Sequence, residues 1–129
     1  EMIISSYATF IEKLKLMNKK IIIVGHIPEH GWSVPDRIAK RYLFTNEIYI
    51  ESLPLEIYTK RFNKIFNLFE TYDDVHIIDT QSIFCERNNS CHSFDNEVGA
   101  LYFDNNHLSM TGAKLVVEDI AILLFEQTE

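Results

Sequence analysis

Apolar residues recur at steps of three and four from Ile3 to Met17 (Ile3, Ile4, Tyr7, Phe10, Ile11, Leu14, Met17), which predicts an amphipathic helix. Asn18 and the lysines that follow suit its C-terminal end. The period then changes: Ile21, Ile22, Ile23 and Val24 form an uninterrupted β-branched run ending at Gly25. Such a run predicts a strand covered on both faces, naturally placed at the centre of a parallel sheet. His26 to Pro35 is rich in breakers and reads as a loop leaving the strand's C-terminal end, the edge where α/β proteins place ligands. A short helix is predicted from Pro35 to about Leu43, with proline in its first turn, followed by a minor extended piece at Ile48 to Ile50. Pro54 opens a longer helix with the stripe Leu55, Tyr58, Phe62, Ile65, Phe66 and Phe69, ending near Tyr72. Val75 to Asp79 reads as a second buried strand and Ala100 to Phe103 as a short extended entry to a turn. Met110, Ala113, Val116, Val117, Ile120, Ala121 and Leu124 mark a last helix, with Ser109 as its N-cap.

Strands alternating with helices predict an α/β three-layer sandwich built on a parallel sheet. Only two strong strands are visible, so further strands are expected outside the chain, on its N-terminal side. The chain opens at Glu1 directly into amphipathic periodicity, which fits an excised portion of a longer polypeptide. Residues 1–129 are accordingly read as the C-terminal portion of a single domain. The 129 residues are 47% hydrophobic and 12% aromatic, enough for a packed core. A net charge of −7 without any Lys/Arg cluster longer than two removes the phosphate-backbone footprint, so nucleic acid is not an expected partner. No apolar run approaches the roughly 18 residues a bilayer span needs.

Candidate chemistry is concentrated near the C-terminus. In Asp104-Asn105-Asn106-His107 a carboxylate precedes an imidazole by three residues at the mouth of the last helix. An aspartate so placed can accept the Nδ1–H, fixing the tautomer and leaving Nε2 to take a proton from a serine or a substrate hydroxyl. A capping role for Asp104 is the alternative. Cys85 and Cys91 bracket a polar, hairpin-like loop and are read as a disulfide, with two free thiols as the alternative; a metal site lacks CxxC spacing, and His92 and His76 would complete one only with help from elsewhere. Asn88-Asn89-Ser90 is a glycosylation sequon that matters only in a glycosylating source. His26 and His30 are four apart, but Pro28 and Gly31 exclude the regular helix a metal pair would need, so they read as loop histidines, with one of them lining the cleft as the alternative. His76 reads as a strand histidine, Asp79 as the cap of the turn after its strand, and Trp32 as packing. Ser33 follows the strand too distantly for a nucleophile on a tight strand-to-helix turn.

The block Asp104-x-x-His107-Leu108-Ser109, continued by Gly112-Ala113, resembles the last conserved block of the SGNH (GDSL-like) hydrolase superfamily. With the preceding strand, the cysteine-bracketed loop and the terminal helix, it resembles more narrowly the C-terminal SGNH domain fused to bacterial acyltransferase 3 membrane proteins. The resemblance implies a flavodoxin-like fold, incomplete here at the N-terminus, and a Ser-His-Asp mechanism with His107 as base and Asp104 as its orienting partner. It also implies a parent protein that O-acylates, typically O-acetylates, a cell-surface polysaccharide on the periplasmic side of the membrane. The family's Gly-Asp-Ser nucleophile block and its two oxyanion blocks have no counterpart in this sequence. The partners so implied are the upstream half of the domain carrying that serine, a membrane acyltransferase domain and a polysaccharide acceptor. No cofactor or metal is expected in this chain, the acyl donor being derived from acetyl-CoA in the parent. Substrate-binding residues are not assigned, and the chain alone is expected to be inactive. A degenerate SGNH scaffold that only binds carbohydrate is the competing expectation.

Overall fold

A computed structural model describes residues 2–48, 50–86 and 89–125. Helix α1 (Met2–Leu16) leads through a turn at Asn18, in the left-handed conformation (φ 52°), into strand β1 (Ile21–Val24). Helix α2 (Val34–Thr45) follows, then β2 (Leu53–Pro54), α3 (Leu55–Phe69) and β3 (Val75–Ile78). A one-turn helix α4 (Thr80–Phe84) precedes four two-residue strands, β4 (Cys85–Glu86), β5 (Ser90–Cys91), β6 (Phe94–Asp95) and β7 (Gly99–Ala100), and α5 (Met110–Phe125) closes the chain.

β1 and β3 pair in parallel, Ile21 opposite Val75 through Val24 opposite Ile78. Because successive strand side chains alternate faces, Ile21, Ile23, Val75 and Ile77 pack with Ile11 and Leu14 of α1 and Ile65 and Phe69 of α3. Ile22 and Ile78 belong to a second cluster with Val34 of α2, Val116 of α5, Phe84, Leu101 and Tyr102. Helices thus lie on both faces of a small parallel sheet, and the fold is α/β. The β2-β5-β4 ribbon is antiparallel, with Cys91 opposite both Leu53 and Cys85. Cys85 and Cys91 are joined by a disulfide.

Several elements differ from the pattern-based expectations. Among the described residues β1, expected at the centre of a sheet, pairs only with β3, and Val24 is 43% exposed. The apolar stripe of α1 is buried chiefly at Ile11, while Ile3, Tyr7 and Phe10 are exposed, Tyr7 meeting the Phe69 ring of α3 edge-on. α2 runs two residues beyond Leu43, until Asn46 (φ 53°) caps it with its N–H on the Tyr42 carbonyl. Ile48 and Ile50 are not in a strand; Tyr49 between them lies outside the described residues. α3 ends at Phe69 rather than Tyr72, and α4 has no counterpart in the periodicity, being too short to show one. Asn88 of the sequon also lies outside the described residues.

Candidate active site

The Asp/His segment is pinched off as a small loop. Tyr102 bridges Leu108, the Phe103 N–H donates to the His107 carbonyl (3.0 Å), and the Ser109 N–H donates to the Leu101 carbonyl (2.9 Å). Inside the loop, Asp104 Oδ1 accepts the backbone N–H of Asn106 (2.8 Å) and of His107 (2.7 Å). Its Oδ2 lies 2.7 Å from His107 Nδ1. One carboxylate oxygen is spent on orientation and the other on the imidazole.

The electrostatics follow from that division. The Asn106 amide first, then that of His107, hold the Asp104 carboxyl down to about 2; partial burial opposes them and the His107 side chain adds to them. A carboxylate can only accept, so it selects the His107 tautomer with hydrogen on Nδ1 and leaves Nε2 as the basic atom. The imidazole is 65% exposed against 34% for the aspartate side chain. The Phe103 ring lies nearly parallel to it, centroids 5.5 Å apart.

Ser109 explains why the loop ends where it does. Its Oγ donates to the Ala100 carbonyl (2.7 Å) and accepts the Gly112 N–H (3.2 Å), so one hydroxyl ties the start of α5 to β7. It is occupied as a cap, and neither Ser109 nor Ser33 bonds His107. Ser33 stands at the N-cap of α2 without a side-chain bond to the helix.

The loop leaving β1 runs beside the Asp/His turn. The His30 N–H donates to the Asn105 carbonyl (2.9 Å), and the Val34 N–H donates to the Asp104 carbonyl (3.1 Å). The carbonyl of His26 is held by the Thr80 hydroxyl (2.6 Å) and the Tyr58 hydroxyl (2.9 Å). A cleft of about 430 Å³ opens at this strand end, lined by Gly25, His26, Glu29, Phe62, Phe66 and Asn106 among others. The His26 ring stacks on Phe62 (3.7 Å); burial lowers its pKa, and Glu29 partly offsets this. Glu29 also pairs with Arg61 (3.3 Å).

The structure thus brings Asp104 and His107 together at the C-terminal edge of the sheet, beside the cleft. Asp79 is the N-cap of α4, accepting the Gln81 N–H (2.9 Å). His30, read from the sequence as a loop histidine, is completely buried. Its loop composition could not reveal this, since the Tyr102 and Trp32 rings that flank it come from contacts distant in sequence or from the turn's own geometry. Phe103 was not singled out either; its only signal is adjacency to Asp104. Among the described residues no three His, Cys, Asp or Glu side chains converge as a metal centre would require, and no helix is long and apolar enough to cross a membrane.

An α/β domain with an Asp–His pair at the sheet's C-terminal edge presents an imidazole whose Nε2 is free to exchange a proton. The chain belongs to the family of SGNH domains fused to AT3 domains, which it matches over residues 2–121. No curated protein and no solved structure gives a significant match. The family indicates an acyltransferase- or esterase-like role in a membrane-protein context.

Proposed function

We propose that this chain supplies the base half of a Ser-His-Asp acyl-transfer site, completed by a serine from the upstream half of the same domain. The observation that carries the reading is the Asp104–His107 pair at 2.7 Å, with the carboxylate independently fixed by two backbone amides. His107 Nε2 takes the serine proton as Oγ attacks the acyl carbonyl, and Asp104 stabilises the imidazolium so formed. Collapse of the tetrahedral intermediate expels the donor, which takes the proton back. A saccharide hydroxyl, deprotonated by the same Nε2, then accepts the acyl group from serine, whose Oγ takes that proton back as it leaves. The acyl group is acetyl, delivered through the membrane acyltransferase domain from an acetyl-CoA-derived donor, and the acceptor is a cell-surface polysaccharide. The Cys85–Cys91 disulfide supports an oxidising, extracytoplasmic setting.

Two features support a domain that continues upstream into a full three-layer sandwich. The second edge of β1 has no partner among the described residues, and apolar side chains stand exposed on both flanking helices, Tyr7 and Phe10 on α1, Val117 and Leu124 on α5. In the complete polypeptide, His107→Ala is expected to lower acyl transfer by on the order of 10³ or more. An unchanged rate would sink the proposal. Saccharide binding without turnover in the complete polypeptide would instead favour the carbohydrate-binding reading. The chain alone is expected to show negligible hydrolysis of activated acetyl esters, and a robust rate abolished by His107→Ala would place the serine within it.

A further inference from the structure

The loop that leaves β1 touches the Asp/His turn through backbone bonds at two points, and His30 stands at the first of them. Its N–H holds the Asn105 carbonyl while its ring, 0% exposed, sits edge-on to Tyr102 (centroids 4.7 Å apart, planes at 80°) and near Trp32 (5.9 Å). Tyr102 is itself fully buried and begins the turn, two residues before Asp104. The ring of His30 is therefore packed against the residue from which the turn springs, and its backbone grips the turn's middle. Neither ring nitrogen has hydrogen-bond geometry to a partner among the described residues, and the Tyr102 hydroxyl and the Trp32 Nε1–H are buried without partners as well.

We infer that His30 is a positioning residue of the Asp104–His107 turn, and that it holds the turn only while its imidazole is neutral. As a positioning role in catalysis this rests on the acyl-transfer reading, but the geometry it describes does not. A neutral imidazole tolerates this aromatic enclosure. An imidazolium there would be a buried charge with no counter-ion. The titratable and charged groups around it give no relief. The backbone of His92, in the β5–β6 connection, favours a charged ring and the His92 side chain opposes one, but burial outweighs both and neither ring nitrogen reaches hydrogen-bond geometry. Tyr102 is held in its neutral phenol form by burial. The Asp104 carboxylate is turned to Asn106 and His107, and the Arg37 guanidinium lies over Trp32 (5.2 Å). Burial accordingly lowers the His30 pKa from 6.5 to about 4. Because the folded value lies below the unfolded one, the stabilisation is complete above pH 6.5 and is lost as pH falls from there toward 4. Asp104 stays ionised through that window, so loss of its carboxylate does not imitate the effect.

The test is amide hydrogen exchange by NMR on this chain, with the His30 ring followed in the same samples. Between pH 6.5 and about 4 the protection factors of the Asn106 and His107 amides, both donors to Asp104, are expected to fall by on the order of tenfold or more along the His30 titration, while the β1 and β3 amides stay protected. His30→Phe and His30→Gln, neutral at every pH, are each expected to keep the turn closed down to pH 4. Overturning results are a His30 that titrates while the turn stays closed, a variant that folds and opens over the same range as the wild type, or sheet amides that open together with the turn. The last would make His30 a stability residue without a positioning role. No step of this readout needs enzymatic turnover, so a failed acyl-transfer assay and a failed His30 reading remain distinguishable.

Discussion

Asp104 shows how one side chain meets two requirements. An aspartate that only capped the turn would need one oxygen; here the second faces Nδ1 of His107 at 2.7 Å. Asp104→Asn keeps an acceptor for the amides, but its NH₂ cannot accept the Nδ1 hydrogen. The opposite tautomer follows, with Nε2 protonated and no longer basic. In the complete polypeptide kcat is expected to fall by about 10⁴ while KM changes little. Because the folded pKa of Asp104 is depressed, the stability it contributes is present above the ordinary carboxylate range and lost as pH falls through about 2. Carboxyl NMR shifts are therefore expected to show Asp104 as the late-titrating group on acidification, and a midpoint near 4 would contradict the bonding described. The spacing of the pair was legible in the sequence because a three-residue return is local. The two amides on Oδ1 were not, since they depend on how the turn closes between Tyr102 and Leu108.

Among the elements, α5 does most to set the turn's position. A Cβ added at Gly112 would run into the Leu101 carbonyl oxygen, so the helix approaches the chain before the turn as closely as it does only because that residue is glycine. Gly112→Ala improves helix propensity by up to about 1 kcal/mol, but the displacement is expected to win, with a net loss of about 1–3 kcal/mol. A shifted denaturant midpoint, with an unchanged slope, is the measurement. Ser109→Ala is expected to cost about 1 kcal/mol by removing the cap. The helix and its cap were readable from the period and from Ser109 itself. The α1 helix was legible too, but not how much of its stripe is buried: periodicity reports which face is apolar, not whether anything covers it. Phe10 belongs to the stripe and is 60% exposed.

At the scale of the molecule, three small clusters share the apolar interior, and the disulfide ties the β2-β5-β4 ribbon into the third. Reduction is expected to lower stability by about 2 kcal/mol, the loop-closure value for so short a ring. Unfolding with and without reductant measures it. The β1 edge that has no partner among the described residues, with the exposed apolar residues beside it, is expected to drive concentration-dependent association of the chain alone, suppressed when the upstream half is supplied in the same polypeptide. Sedimentation velocity at several concentrations checks this, and a monomer throughout would count against an incomplete sheet. By itself the sequence determined the four longer helices, the two β-branched strands, the Asp–His spacing, the cysteine pair and the family, because each depends on neighbours a few residues apart or on an uninterrupted motif. Only the tertiary structure decided that β1 pairs with β3, that His30 is enclosed beside the turn and that Gly112 must meet Leu101. Those facts arise where segments far apart in the chain come into contact, and a linear pattern carries no record of which segments do.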